Sequence, residues 1–271
     1  MHTQLQAVLN QASKAVSGKT QVLEKMLLAI LAGGHILLDD VPGLGKTTMA
    51  IAISRALGAK FRRIQCTPDV IASDIVGFSM YNKQTGAFTY MPGVVTDCNI
   101  LLADELNRTA SKTQSALLEA MQEGQVTVDG QTHPLCKPFT VIATQNQVGT
   151  AGTQLLPYAQ LDRFMLRLQI GYPDFDGQME ILRSRQAENP LDSVEPALSV
   201  REILQMQQQV CCVSVHEVIL AYITRLAMAS RENPMIALGI SPRGALHISA
   251  AARARAFLYG RDYVIDEDVC A

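Results

Sequence analysis

The chain has 271 residues, is 48% hydrophobic and 18% charged, and carries a formal net charge of −2 with a pI near 6.2. That length and apolar fraction suit one large or two modest globular domains and exclude a disordered chain. The slightly acidic balance argues against a general nucleic-acid or membrane-surface binder, and the absence of Trp argues against a base-stacking surface.

No run approaches the roughly 20 apolar residues of a spanning helix, and the N-terminal MHTQLQAVLNQASKAV lacks the apolar core of a signal peptide. The expectation is a soluble, cytoplasmic protein. Of the six cysteines, none forms a CxxC pair, so zinc-knuckle and thioredoxin-type readings fail. Cys66, Cys98 and Cys136 lie in or beside apolar runs and are expected as buried, reduced thiols.

Leu5, Val8, Leu9 and Ala12 are at helical spacing and predict a helix over 3–17, which Gly18 interrupts. A second helix carries Leu23, Met26, Leu27, Ile30 and Leu31 and ends at Gly33-Gly34. Ile36-Leu37-Leu38 is short and wholly apolar, as in a central strand covered on both faces. A Gly/Pro loop follows, then a helix from Thr47 to Leu57 and a weaker strand at FRRIQ, 61–65. Pro68-Asp69 is expected to start a short helix running to Asp74. Alternating aromatics over 77–92 predict a β-hairpin around Lys83-Gln84-Thr85-Gly86.

A buried strand at 99–103 ends in Asp104-Glu105. Ser111 with Gln114 reads as the capping box of a helix that buries Leu117, Leu118 and Met121 and stops near Gly124. Asp129-Gly130 marks a second hairpin. A strand at 139–143 leads to Thr144-Gln145-Asn146, and LDRF (161–164) leads to a last strand, MLRLQI. Beyond Gly171 the pattern is helical: 175–187, 200–209, 215–231 and 242–258. The fold class is therefore α/β: a P-loop core with a five-stranded parallel sheet between helices, over 1–171, and an all-α lid domain over 172–271. Asp266 reads as the cap of one more helix, so the second domain is expected to be truncated at its C-terminus.

Asp40, Val41, Pro42, Gly43, Leu44, Gly45, Lys46, Thr47 and Thr48 make the candidate phosphate-binding loop. The strict pattern GxxxxGK(S/T) fails at one position, where Asp40 replaces the first glycine. An Asp facing a phosphate would repel it, so Asp40 is expected to point away. Gly43 and Gly45 let backbone N–H groups approach the phosphates. Lys46 supplies the ammonium, and Thr47 supplies a hydroxyl ligand for Mg²⁺. Asp104, ending a buried strand, is expected to hold the Mg²⁺ shell, with Glu105 as the base that activates water. Asn146 is expected to sense the γ-phosphate. The loose phosphoryl transition state gains from arginine, and two stand out: Arg163 in LDRF, and Arg243, in the first turn of a helix capped by Ser241-Pro242. His35 and His133 are expected to be structural, and Arg108 is a candidate to face a neighbouring subunit. The expected cofactors are ATP and Mg²⁺.

QCTPDVIASDIVG, LLADELNRTASKTQSALLEAMQEGQVTVDG, ATQNQVGTAGTQLLPYAQLDRF and GISPRGAL occur in that order. Together they resemble the MoxR family of AAA+ ATPases. The resemblance implies a homo-oligomeric, hexameric ring with nucleotide bound between core, lid and neighbour. It implies Arg163 as a finger acting in trans and Arg243 as sensor 2. It further implies chaperone-like work on client proteins, with partners that carry von Willebrand factor A domains. Gln147 departs from the Pro often found there and leaves the Asn146 amide intact. Three alternatives remain at this point. The ATPase subunit of a magnesium chelatase would share the site. A nucleic-acid motor would need basic hairpin tips, where only Lys83 stands out. A scaffold that holds nucleotide without turnover is disfavoured by Glu105.

Overall fold

Five parallel strands run in the order β2-β5-β8-β1-β9, so the candidate loop leaves an interior strand. In this computed structural model, which describes residues 2–84, 86–146, 155–184 and 189–270, those strands are β1 (Ile36–Asp39), β2 (Phe61–Gln65), β5 (Ile100–Asp104), β8 (Thr140–Gln145) and β9 (Leu166–Leu168). β1, β5 and β8 are buried along their whole length, because helices cover both faces. The fold class expected from the sequence is thus the one observed.

One face packs against α1 (Thr3–Ser13), α2 (Thr20–Leu31) and α3 (Lys46–Ala56), through Ile36, Leu38, Ile100, Leu102 and Ile142. The other face, through Leu37, Leu101, Ala103, Val141 and Ala143, packs against α4 (Ala72–Val76) and α5 (Ser111–Glu123). Two antiparallel hairpins are added: β3 (Gly77–Asn82) with β4 (Ala87–Pro92), and β6 (Gln125–Val128) with β7 (Gln131–Pro134). Asp129 and Gly130, both at positive φ (49° and 78°), turn the second, as the Asp-Gly pair predicts. The tip residue Thr85 of the first lies outside the described residues. Tyr90 stacks on His133 at 3.7 Å between ring centroids, which fastens the two hairpins together and gives His133 a structural partner.

After Gly171 come α6's successors in helical form. Here α6 is Tyr158–Leu161, followed by α7 (Phe175–Ser184), α8 (Val200–Cys212), α9 (Glu217–Glu232), α10 (Pro242–Leu258) and α11 (Asp266–Cys270). Ile203, Met206 and Val210 of α8 and Ala254 and Leu258 of α10 join the same apolar cluster as α1 and α2. A small separate cluster of Val213, Ala252, Ala256 and Val264 closes the helical part.

Several boundaries differ from expectation. α1 stops at Ser13 rather than 17; the chain continues as turns and a bend over 14–18, with Ala15 and Val16 still packed against the core. Pro68-Asp69 forms a turn, and α4 starts only at Ala72, where the Asp74 carboxylate accepts the Ile71 N–H at 3.0 Å. Ser111 is already helical. Ala110 holds the cap position, and Gln114 donates to the carbonyls of Leu106 and Thr109 instead of closing a capping box. Asp266 is likewise inside its helix, and Asp268 accepts the Ile265 N–H while pairing with Arg255 and Arg261. The predicted helix end at 185–187 lies outside the described residues.

His35 shows what the sheet demands of a polar residue. Its Nδ1 accepts the Val141 N–H (2.9 Å), and its Nε2–H donates to the Met121 carbonyl (3.1 Å). Burial pushes its pKa down to about 4 from 6.5, partly offset by the Met121 hydrogen bond. The ring is therefore neutral when folded but binds a proton in the unfolded chain between those two values. Stability is full above pH 6.5 and falls as pH drops toward 4, by about 3 kcal/mol in all. Urea unfolding at pH 7.5 and pH 5 is expected to show the loss, and His35→Gln is expected to flatten it.

Candidate active site

In a parallel sheet all strands end at one edge, and loops leaving β1, β5 and β8 meet there. Cα register pairs Asp39 with Gln145 and Gln65 with Asp104. Residues far apart in sequence thus gather across neighbouring strands about 4.8 Å apart.

The loop after β1 turns through Gly43 and Gly45 at φ 86° and 83°, a region open to glycine and strained for other residues. No atom lies within 4 Å of where a Cβ would sit at either, so the need for glycine is conformational. Asp40 is buried and turned away from the loop, as anticipated. Its Oδ2 accepts the N–H groups of Ile170 (2.8 Å) and Gly171 (2.7 Å), and Oδ1 accepts that of Val41. The missing glycine is thus replaced by a clamp between the loop and the chain after β9.

Lys46 opens α3 and is buried. Its Nζ donates to the Asp40 carbonyl (2.5 Å), the Gln145 carbonyl (3.2 Å) and Asn146 Oδ1 (2.9 Å), using all three protons. Burial holds its ammonium below the ordinary value, against the pull of Asp40 and Asp104. Asn146 passes the link on, donating from Nδ2 to Glu105 Oε1 at 2.7 Å. A single amide therefore joins the loop lysine to the candidate base.

Asp104 ends β5. Its Oδ1 accepts from Thr144 Oγ1 (2.6 Å), while the Thr47 hydroxyl approaches Oδ2 at 3.4 Å. Thr144 also accepts the Glu105 N–H at 2.8 Å, which helps hold Glu105 in its left-handed backbone, φ 57°. The second Glu105 oxygen is taken by Arg108 at 2.6 Å and approached by Gln65 at 3.4 Å. Within its own chain Arg108 thus pairs with Glu105. A Thr hydroxyl beside a carboxylate oxygen is a hard-oxygen donor pair of the kind Mg²⁺ takes when phosphates and water complete its shell. Among the described residues no cluster of three His, Cys, Asp or Glu could hold a metal by protein ligands alone. Thr47 and Asp104 therefore fit an ion brought with a nucleotide.

Arg163 and Arg243 are brought to each other and kept from this edge. Arg163 precedes β9, which runs parallel to β1, so it sits at the opposite edge from the loop that follows β1. The Met165 N–H donates to the His35 carbonyl there, and α5 reaches the same level through Met121. Arg163 donates to the Ala159 carbonyl at 2.8 Å and lines a cavity of about 430 Å³ with Ser115, Glu119, Gln122 and Gln160. Arg243 lies in the first turn of α10 and donates to Gln122 Oε1 at 3.2 Å. Four strand residues span roughly 13 Å, too far for either guanidinium to serve its own Lys46. The sensor expected at the lid wall is therefore not supplied by the same chain in this arrangement. Asp162, beside Arg163, accepts from the Ser241 cap hydroxyl at 2.6 Å, which makes the two arginine motifs one packed unit.

The motif reading missed Arg63, Gln65 and Thr144, whose roles depend on which strands are neighbours. All six cysteines are free thiols, Cys66 and Cys98 buried, Cys136 half-buried and the rest exposed. Burial pushes the Cys66 thiol up to about 12, with Asp104 and Glu105 adding to it, so it is inert. Gln147 lies outside the described residues. No described helix is long and apolar enough to cross a membrane.

Two family profiles match: "ATPase family associated with various cellular activities (AAA)" over residues 35–166 and "AAA lid domain" over 228–271. The uncharacterized protein YeaC of Bacillus subtilis is 45% identical over 99% of this chain and 84% of its own length. Chaperone MoxR1 of Mycobacterium tuberculosis is 38% identical over 99% of this chain and 73% of its own. The crystal structure of a protein from Cytophaga hutchinsonii, provisionally assigned as an ATPase, superposes with a TM-score of 0.89 at 38% identity. It covers 98% of this chain and 83% of that one.

Proposed function

Because the chain belongs to the MoxR family of AAA+ ATPases, and is thus a nucleotide-binding ATPase, we propose that it hydrolyses Mg²⁺·ATP to remodel or mature client proteins. Residues 1–171 serve as the ATPase core and 172–271 as its lid. Loop residues 40–48 cradle the phosphates, with Lys46 supplying the charge. Thr47 and Asp104 hold Mg²⁺, which neutralises phosphate charge when bound. Glu105 orients and deprotonates the attacking water. Lys46 turns from Asn146 Oδ1 to the phosphates, and Asn146 offers its second Nδ2 proton to the γ-phosphate while the first stays on Glu105.

The observation that carries this reading is the Lys46–Asn146–Glu105 relay beside the Thr47–Asp104 pair. Loop, acid, base and sensor converge at one sheet edge, with donor types that fit a nucleotide and its cation. The far-edge position of Arg163 and Arg243 favours a ring, in which both arginines face a neighbour's nucleotide. Hexameric closure and a partner with a von Willebrand factor A domain are part of this proposal. They rest on the resemblance of the four sequence blocks. A scaffold reading gains nothing from the geometry, since Glu105 already contacts the amide that would report the γ-phosphate.

Phosphate release from ATP by the purified protein tests the reading. Turnover is expected with Mg²⁺ and none with EDTA, and ATP bound but never hydrolysed would overturn the proposal in favour of a scaffold.

A further inference from the structure

Arg63 points from the edge strand β2 at the carboxylate of Asp104. Its Nη2 donates to Asp104 Oδ2 at 2.6 Å and to Gln65 Oε1 at 3.0 Å. The other carboxylate oxygen, Oδ1, is already bound by the buried Thr144 hydroxyl at 2.6 Å. Oδ2 is therefore the oxygen left for a cation, and it is the one that the Thr47 hydroxyl approaches at 3.4 Å. The guanidinium thus occupies the acceptor that the Mg²⁺ shell requires.

We infer that Arg63 is a built-in competitor of Mg²⁺ for Asp104, acting through that carboxylate rather than on the nucleotide. Two cations within about 4 Å on one oxygen repel each other, so guanidinium and metal exclude one another. The arrangement lets Arg63 leave: β2 is the last strand of the sheet, and the side chain is 46% exposed against 12% for Asp104. Gln65 offers a second acceptor on the same strand. The edge also needs such a counter-charge. Asp39 pairs with Arg167, Asp40 accepts backbone N–H groups, Glu105 pairs with Arg108, and Asp104 would otherwise have hydroxyl partners but no ion pair. The consequence is a site that stays balanced without nucleotide and fills with divalent cation only when phosphates add their own pull.

The inference rests on the site being one for Mg²⁺·nucleotide. Mn²⁺ binding, read by electron paramagnetic resonance in the presence of a non-hydrolysable ATP analogue, tests it without turnover. Arg63→Gln is expected to lower the half-saturating Mn²⁺ concentration by about three- to tenfold, and Arg63→Lys to stay near the unaltered protein. Thermal melting in EDTA checks that both variants fold, and a purely structural role would lower melting without moving the Mn²⁺ curve. An unchanged Mn²⁺ curve would overturn the inference. So would a raised half-saturation with weaker analogue binding in EDTA, which would make Arg63 a phosphate ligand. If the unaltered protein bound no Mn²⁺ with the analogue, the reading of the site itself would fail.

Discussion

Glu105→Gln is expected to keep nucleotide bound and to cut turnover by about 10²–10⁴-fold, which is about 3–5 kcal/mol of barrier. The substitution is nearly isosteric. A Gln at 105 keeps a carbonyl oxygen to accept from Asn146 Nδ2, now 2.7 Å from Oε1. The atom that replaces Oε2 is an NH2 donor, so the Arg108 ion pair on that oxygen is lost. The Asn146 contact survives, while the proton acceptor and the Arg108 pair are lost. Single-turnover phosphate release and equilibrium binding of a fluorescent ATP analogue separate the two effects. Unchanged turnover would remove Glu105 as the base. Loss of binding with loss of turnover would make it a structural residue of the loop.

Arg163→Ala is expected to bind nucleotide normally and to lose about a thousandfold in turnover, the scale of an arginine that meets the transition state from outside. Its side chain touches no residue of the loop edge, and its nearest hydrogen-bond partner is the Ala159 carbonyl. The decisive form of the experiment mixes subunits. Lys46→Ala subunits have a dead loop and an intact Arg163, while Arg163→Ala subunits have the reverse. Mixed assemblies are expected to recover part of the activity that neither has alone. Absence of recovery would show that the arginine does not act between subunits.

The parts of the site carried by short local patterns were legible in the sequence. Ile36-Leu37-Leu38 before a glycine loop, and Ile100 to Ala103 before Asp104-Glu105, announce buried strands ending in polar residues, and the structure has both. Arg63 and Thr144 were not legible, because their partner Asp104 is 41 and 40 residues away and the contacts exist only through the order β2-β5-β8. Helix starts were misplaced for a related reason. Gln114 donates to carbonyls instead of closing the expected capping box, and Asp74 caps a start at Ala72 rather than the one expected at Pro68-Asp69; local spacing alone does not choose between such starts. The position of the arginines was within reach. A residue before a parallel strand lies at the edge opposite a loop that follows one, so LDRF ahead of β9 could already be set apart from Lys46.

That separation is the core of the account: a complete loop edge on one side of the subunit and its arginines on the other. Turnover per subunit, measured across a dilution series together with particle mass, tests it most directly. The account predicts that activity appears with the oligomer and vanishes as the protein dilutes to monomer. A monomer that hydrolyses ATP at the full per-subunit rate would contradict it.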